Sequence, residues 1–380
     1  MKITALKSFP IRKSLHLVKV ETDDGHFGWG ETGPSAWRRE MAVHGLLDHF
    51  REFLVGKDPR NIGAIWQEMA RSCSHGAGGR LINAAVSAID IALHDLAGRR
   101  LGVPVYEILG GKHRDRIQCF TPIADEAAPR WVSEGWKALR LSMATAKDPG
   151  LFDPRESIEL AVPRMIQVRE SIGPGPFLGV DYHHAFNVAE AAAFCQKLPS
   201  GTLDFIEDPI REYTPGALRE LRRMTDVPFA VGEVFASKWE WLPFIEQDLI
   251  NIARIDLGNV GGFTEGMKVA SLCEAHYIDM MPHLGISPIS TACIVHFGAA
   301  VPNFGWMEDR NREGDGRFTP RSTEACTQYP VAEGATYPVL DHPGLGVEYD
   351  EAALKAHMEE HPYDITETPR TMRRDGSISY

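Results

Sequence analysis

FLGVDYHH at residues 177–184 and LDFIEDP at residues 203–209 open a series of apolar runs that each end in an acid or a histidine. The series comprises Asp181, Glu207, Glu233, Asp256, His283 and Glu308, with gaps of 26, 26, 23, 27 and 25 residues. One βα unit of a parallel barrel needs roughly 25 to 30 residues, because a strand, a helix and two loops must fit. The spacing therefore predicts a barrel whose polar groups converge at the C-terminal ends of its strands.

The remaining apolar runs complete this barrel. We predict eight strands, at 118–124, 138–143, 177–182, 203–208, 228–233, 251–257, 277–283 and 303–309. Helical patterns fill the gaps, for example at 188–198, 215–224 and 262–276. Eight strands with intervening helices favour a closed barrel over an open sheet. We therefore predict an α/β fold, a (β/α)7β TIM-type barrel over residues 116–320.

Residues 1–115 show a different order of elements. Two alternating runs flank Asp23-Asp24-Gly25, which is a hairpin signal, and helical patterns follow at 39–55, 61–73 and 80–100. Strands followed by helices, without alternation, are typical of a separate α+β domain. We predict an N-terminal capping domain over 1–115. Residues 321–380 are too few to fold alone, and we expect this C-terminal tail to complete the cap and pack on the barrel.

Composition excludes several functional classes. The chain has 380 residues, of which 43% are hydrophobic, and a net charge of -12 without a long Lys/Arg block, so we expect no nucleic-acid partner. The six cysteines form no CxxC pair, which favours reduced thiols in a cytoplasmic protein. The N-terminus lacks the apolar segment of a secretory signal, and we expect no membrane partner. An anionic substrate would need a local cation here, either a metal or an Arg/Lys cluster.

Asp181, Glu207 and Glu233 end three consecutive strands of the predicted barrel. Left bare, three carboxylates at neighbouring strand ends would repel one another. Together they form a hard oxygen site suited to Mg²⁺. Each could instead cap the helix that follows, since acids favour helix N-termini. Three in consecutive units, each after a long apolar run, favour the metal.

Asp256 and His283 come from the next two units. An Asp beside a His fixes the imidazole tautomer and stabilises its protonated form, which suits a general base. His183 follows Asp181 by two residues, so a continuing strand would put both side chains on one face and make His183 an acid or base beside the metal. His184 would then point away and be structural.

Several motifs resemble the enolase superfamily over almost the whole chain. They are D-x-H, F-I-E-x-P, G-E, D-x-x-x-x-G-G and P-H at this spacing, with VETDDGHFGWGE at 20–31, IDIALHDLAGRRLGVPVYEILGG at 89–111 and PGLGVE at 343–348. The second barrel strand, ALRLSM at 138–143, lacks the lysine base of other members. The D-x-H motif with the His–Asp pair is most similar to the acid-sugar dehydratases, above all those of the galactonate type.

The resemblance also implies where substrate is bound. Arg140 and Ser142 stand where the galactonate type has K-L-N, and they are expected to contact substrate. Capping-domain loops supply specificity in this superfamily, which makes Trp37, Arg38 and His75 candidates, although each could be an ordinary surface residue. Glu308, at the end of the eighth strand, could hydrogen-bond substrate or support the catalytic histidine. The departures, Asp208 in place of the second Glu of F-I-E-E-P among them, leave the sugar open.

The resemblance implies a Mg²⁺-dependent dehydratase of a sugar acid. His283, oriented by Asp256, would abstract the C2 proton, and His183 would protonate the departing 3-hydroxyl to give a 2-keto-3-deoxy acid. Which histidine is the base depends on the configuration at C2. Two alternatives remain: a racemase or epimerase on the same scaffold, or a non-catalytic barrel. We expect a small-molecule sugar acid as the ligand and a homo-oligomeric protein.

Overall fold

The computed structural model describes residues 1–11, 15–33, 40–72, 79–143, 146, 148, 150–211, 214–283, 287–310, 325–360 and 371–379. Its N-terminal part is the predicted α+β unit. Three antiparallel strands form its sheet: β1 (Ile3–Ile11), β2 (Leu15–Thr22) and β3 (Phe27–Glu31). Four helices follow: α1 (Glu40–Leu54), α2 (Ile62–Ser72), α3 (Arg80–Leu101) and α4 (Val105–Ile108). The hairpin turns at Gly25, whose φ of 84° is one that glycine adopts without strain.

Helix α3 is the centre of the cap. It is long and apolar enough to cross a membrane by length and composition alone, but 83% of its most apolar window is buried inside the protein, as in a core helix. It packs directly on β3, because Gly28 and Gly30 leave room for the backbone of Ala92 and Ala88. A side chain at either glycine would collide with that backbone. The FGWGE sequence therefore sets the closeness of this contact.

The barrel has the predicted parallel strands. They are β4 (Arg116–Ile123), β5 (Ala138–Ser142), β6 (Phe177–Asp181), β7 (Phe205–Glu207), β8 (Phe229–Val231), β9 (Ile252–Ala253), β10 (Asp279–Met280) and β11 (Met307–Glu308). Neighbours pair in parallel in the order β10-β9-β8-β7-β6-β5-β4-β11. A parallel bridge between Met280 and Phe304 joins the two ends. The predicted barrel fold is confirmed.

Helices lie between successive strands. They are α5 (Ala128–Ser133), α6 (Pro154–Ile172), α7 (Val188–Lys197), α8 (Pro215–Arg222), α9 (Lys238–Ile245), α10 (Leu257–Val260), α11 (Gly262–Ala275) and α12 (Pro288–Ala300). Side chains that cap their first turns fix where several of them begin. Asn187 forms a capping box with Glu190, and Asp153 accepts hydrogen bonds from the backbone of Arg155 and Glu156.

The assigned strands are shorter than predicted, most clearly in β9 and β10. Ladder hydrogen bonds nevertheless continue past them, from Met281 N to Ala253 O at 2.9 Å and from His283 N to Ile255 O at 2.8 Å. The last residues of each run therefore keep their register while their side chains turn toward the barrel mouth, defined here as the C-terminal ends of β4–β11.

The tail contacts both parts of the molecule. β13 (Thr336–Pro338) adds antiparallel to β4, and β12 (Cys326–Gln328) pairs with β14 (Glu348–Tyr349). In α13 (Glu351–Glu360), the Glu351 carboxylate lies 3.2 Å from Lys7 Nζ and 3.2 Å from Lys19 Nζ of the cap sheet. The described part of the tail thus contacts both the barrel strand β4 and the cap sheet.

Candidate active site

The six residues of the strand-end series all lie at the barrel mouth. Asp181, Glu207 and Glu308 are the last residues of β6, β7 and β11. Asp256 precedes α10, and Glu233 and His283 follow β8 and β10. Below them the barrel interior is filled by a small apolar cluster: Phe120, Ala138, Phe205, Ala230, Ile252 and Met281. The charged groups therefore lie above an apolar layer of the core, where electrostatic interactions are stronger than in water.

Asp256 and His283 form the expected pair. His283 Nδ1 lies 2.7 Å from Asp256 Oδ2, and His283 Nε2 lies 3.6 Å from Glu233 Oε2. Burial alone would lower the pKa of His283, but the negative charge of Glu233 and the hydrogen bond to Asp256 raise this pKa to about 9. The charge on these acids thus controls whether the imidazole can take up a proton.

His183 also lies beside an acid, although a turn, and not a continuing strand, brings the two together. Strand β6 ends at Asp181, and His183 has a φ of 45° in the turn that follows, so the predicted shared strand face is wrong. The turn brings His183 Nε2 to 2.9 Å from Asp181 Oδ2, while its backbone N donates to Asp181 Oδ1 at 2.8 Å. The side chain is 46% exposed, and Asp181 raises its pKa to about 9.

His184 does not point away from the site as predicted. Its φ is 60°, and Nε2 lies 3.4 Å from Asp208 Oδ2, within reach of the other mouth acids. The turn rotates this side chain toward the barrel axis, where an extended strand would have turned it outward. Desolvation by burial lowers the pKa of His184, so the neutral imidazole is favoured.

The acids form two overlapping groups of possible metal ligands. In one, ligand atoms of Asp181, Glu207 and Asp208 all lie within 4.8 Å of one another, and in the other the same holds for His184, Asp208 and Glu233. Buried carboxylate oxygens are the donors that a hard divalent cation prefers, so the residues fit such an ion. Asp208 belongs to both groups, and the predicted ligands are divided between them, with Asp181 and Glu207 in the first and Glu233 in the second. The sequence marks Asp208 only as a departure from a motif.

Two arginines lie among these acids. Arg140 is 3% exposed, with Nη1 at 2.8 Å from Glu207 Oε2 and Nη2 at 2.9 Å from Glu308 Oε1. Arg254 is fully buried and donates from Nε to Glu207 Oε1 at 2.8 Å and from Nη2 to Glu308 Oε2. The sequence does not single out Arg254, although a lone arginine within the apolar run NIARID is a detectable signal.

Glu308 is surrounded by positive charge. Arg140, Arg254 and Arg310 all contact its carboxylate. Burial opposes ionisation, but the guanidinium charges hold the pKa of Glu308 well below its usual value. The ionised form of Glu308 is therefore favoured, and the contacts that the structure assigns to it are these arginines.

Of the other predicted substrate contacts, the structure describes Ser142 and Arg140 but not the three cap residues. Ser142 ends β5 opposite Asp181 and is exposed at the mouth. Arg140 points between carboxylates rather than into solvent. Trp37, Arg38 and His75 lie outside the described residues, as do residues 284–286 after His283.

The cap reaches the Asp256–His283 pair through the end of β3. Glu31 is buried and contacts the hydroxyl of Ser287, which begins α12. Burial, and then the nearby charge of Asp256, raise the pKa of Glu31 well above its usual value. A Cβ at Gly33 would lie 2.7 Å from Asp256 Oδ1, so only glycine allows the cap to approach this acid so closely.

Comparisons with known proteins agree with this architecture. Residues 5–110 match the mandelate racemase / muconate lactonizing enzyme N-terminal domain, and residues 123–353 match the enolase C-terminal domain-like family. The chain is 30% identical to a D-galactonate dehydratase of Ralstonia pickettii (strain 12J), with 100% of both chains covered.

Solved structures of related proteins share this architecture of cap and barrel. An enolase from Agrobacterium radiobacter with bound Na and L-malate superposes with a TM-score of 0.87 at 26% identity, covering 100% of both chains. The 3,6-anhydro-D-galactonate cycloisomerase of Zobellia galactanivorans superposes with a TM-score of 0.80 at 28% identity, covering 94% of this chain and 99% of that one.

Proposed function

Because this chain belongs to the enolase superfamily, we propose that it is a hydro-lyase, a dehydratase of a sugar acid that requires a divalent metal. The observation that carries the proposal is a pair of histidines at one mouth, each beside its own carboxylate but unequally exposed. Elimination of water needs a base at C2 and a separate acid at the 3-hydroxyl. Two histidines of different exposure suit these two roles.

The metal is proposed to be Mg²⁺, held by Asp181, Glu207 and Glu233 with Asp208 adjacent. Oxygen donors in a buried site suit this ion. When bound, it supplies Lewis-acid stabilisation of the negative charge that develops on the substrate carboxylate as C2 loses its proton. The remaining steps fall to side chains of the chain itself.

His283 is proposed as the base. Its Nδ1 contact with Asp256 fixes the ring and the tautomer. A cation held at Glu233 would offset the charge that does most to raise the pKa of His283, and would so leave Nε2 able to accept the C2 proton. Asp256 also stabilises the imidazolium that results. The dyad is buried, so water competes little for the transferred proton.

His183 is proposed as the acid. Its side chain is about half exposed at the open end of the mouth, and Asp181 favours its protonated form at neutral pH. A protonated imidazole can deliver a proton to the departing 3-hydroxyl, so that water leaves rather than hydroxide. Tautomerisation of the enol then gives a 2-keto-3-deoxy acid.

The substrate is proposed to be an aldonate of the galactonate type. The curated relative that spans the whole chain is named D-galactonate dehydratase, which supports this class. A racemase or epimerase, one kind of isomerase, is the second candidate, and it is supported only at the level of reaction class by a structural neighbour that is named a cycloisomerase.

A deuterium experiment on the wild type and His183→Asn tests the assignment. In D₂O with Mg²⁺ and a panel of aldonates, the wild type should release keto acid. The variant should still exchange the C2 proton but form keto acid about 10² to 10⁴ times more slowly, as expected for loss of a general acid. His283→Asn should lose the exchange as well. Inversion at C2 by the wild type without keto acid would favour the isomerase and overturn the dehydratase.

A further inference from the structure

Arg140 occupies the space between two of the proposed metal ligands. Its Nη1 lies 2.8 Å from Glu207 Oε2 and 3.4 Å from Asp181 Oδ2. Arg254 covers the opposite oxygen of the same glutamate, with Nε at 2.8 Å from Oε1. Both oxygens of Glu207 therefore carry a guanidinium, and Asp181 has one nearby.

The two arginines and two glutamates close a buried ring. Arg140 and Arg254 each contact both Glu207 and Glu308. The ring of Phe120 lies against both cations, with its centroid 5.6 Å from Cζ of Arg140 and 5.1 Å from Cζ of Arg254. Arg254 is also held by the backbone carbonyls of Met281 and Pro282, at 2.7 and 2.9 Å from Nη1.

The buried set of ion pairs between the two arginines and the two glutamates affects how a metal ion can bind. A carboxylate has several lone pairs, so Glu207 can contact an arginine and an ion together. The ion must then share the negative charge of Glu207 and Asp181 with Arg140, and in a buried site the repulsion between the two cations is strong. The acids are also held together before any ion arrives, because the arginines balance their charge.

We propose that Arg140 is a built-in counter-ion that lowers the affinity of this centre for divalent metal, while Arg254 holds Glu207 and Glu308 in position beside it. The proposal rests on the metal site of the proposed function. It makes Arg140 a residue that tunes the ion, in addition to any contact it has with substrate. It also predicts that replacing Arg140 by a neutral residue tightens metal binding, which the loss of a purely structural ion pair would not do.

Arg169 offers a matched control. At the other end of the barrel its Nη2 lies 2.6 Å from Asp204 Oδ2, and its other nitrogens donate to the carbonyls of Thr202, Gly173 and Pro176. This arginine also joins a carboxylate to backbone carbonyls, but it is remote from the mouth acids. Its loss should cost stability without changing the metal affinity.

The experiment measures Mn²⁺ binding to the full chain after removal of bound metal with EDTA and dialysis. Free Mn²⁺ is counted by electron paramagnetic resonance for the wild type, Arg140→Gln, Arg140→Lys and Arg169→Gln. Arg140→Gln should bind Mn²⁺ about tenfold or more tightly than the wild type, because one opposing charge is gone. Arg140→Lys keeps that charge and should stay within about threefold, and Arg169→Gln should match the wild type.

Three results decide the outcome. Unchanged or weaker binding by folded Arg140→Gln overturns the proposal while the metal site stands. If the wild type and all variants bind no Mn²⁺, the metal site itself is wrong, and the proposal falls with it. If Arg140→Gln folds only with Mn²⁺ present, the ion has replaced the guanidinium, which supports the proposal. If it does not fold in either condition, Arg140→Gln/Glu308→Gln, which removes one charge of each sign, takes its place in the same assay. It should bind Mn²⁺ more tightly than Glu308→Gln alone, and equal or weaker binding overturns the proposal.

Discussion

The barrel mouth and the seam between cap and barrel both bury several charges, but different partners balance them. At the seam, defined by α3, β3, α4, the barrel helix α12 and tail residues 343–348, Asp95 accepts hydrogen bonds from Trp29 N at 2.8 Å, Leu345 N at 2.7 Å and Arg99 Nε at 2.8 Å. At the mouth, the partners of Asp181 and Asp256 are mainly histidine and arginine side chains. Backbone donors neither move nor titrate, whereas histidine side chains do both and arginine side chains can move.

The same contrast appears in the backbone. At the seam a positive φ of 72° is taken by Gly344, which lies against Asp95 and leaves no room for a side chain. At the mouth, positive φ values occur at Gly232 and also at three residues that carry a Cβ, His183, His184 and Asp208. Such conformations cost energy for residues with a Cβ and tend to persist where the side chain is needed. Partner type and backbone conformation together separate the functional cluster from the structural one.

Glu207→Gln should give the largest effect, because it removes a charge that two arginines and the proposed metal share. We expect loss of turnover by more than about 10³-fold and loss of metal-dependent thermal stabilisation. Activity on an aldonate and melting temperature with and without Mg²⁺ measure both. Glu265→Gln is the control, since Glu265 is equally buried but pairs with Lys238 and Lys268 away from the mouth. Full wild-type activity after EDTA treatment and exhaustive dialysis would contradict the metal role.

Asp95→Ala should show the opposite pattern at the seam. It leaves two buried backbone N–H groups without their acceptor and removes one of the two carboxylates that pair with Arg99, which should lower the free energy of unfolding by about 3 to 5 kcal/mol. Turnover of the folded protein should stay within about twofold of wild type, since α3 supplies no group to the reaction. Urea unfolding and kcat/KM measure the two effects. A loss of turnover larger than the folded fraction explains would show that the seam reaches the chemistry.

Part of this division can be predicted from sequence. The strand-end series follows from spacing alone, and the Asp256–His283 pair follows because neighbouring βα units bring successive strand ends together. Sequence also contains a competing pattern, because Asp90, His94 and Asp95 on α3 offer the same residue types as Asp181 and His183. Only the three-dimensional structure shows that Asp95 accepts two of its hydrogen bonds from backbone N–H groups, whereas the Oδ2 atom of Asp181 lies against the side chains of His183 and Arg140.

Other features depend on contacts across the barrel. Arg254 meets Glu207 and Glu308, which are 47 and 54 residues away, and no local pattern relates them. Strand alternation predicts the wrong direction for His184, because β6 ends at Asp181 and the chain turns instead of continuing. A turn with positive φ at two non-glycine residues runs against local preference, and sequence-based reasoning follows that preference.

Stability of the seam should fall with pH below about 6.5. Burial lowers the pKa of His296 to about 4, while its ring lies 3.4 Å from Tyr106 N and 3.2 Å from Leu345 O. His296 therefore takes up a proton less readily in the folded protein than in the unfolded chain. Its contribution to stability is fully present above pH 6.5 and is lost as the pH falls toward 4. The contribution is about 3 kcal/mol. His296→Gln should flatten this part of the curve of unfolding free energy against pH, and an unchanged slope would contradict it.

His184→Gly should have the smallest effect on stability, and its sign distinguishes the two regions. Glycine adopts the φ of 60° without strain, so the substitution should raise the free energy of unfolding by about 0.5 to 1 kcal/mol, even after the extra entropy of the unfolded chain. Turnover should fall, because the imidazole beside Asp208 is lost. Gly344→Ala is the seam counterpart and should lower stability, since its Cβ would meet Asp95. Urea unfolding of both variants, with kcat/KM for each, gives the answer. A destabilised His184→Gly protein would mean that the contact with Asp208 outweighs the strain, and His184 would then resemble the structural residues of the seam.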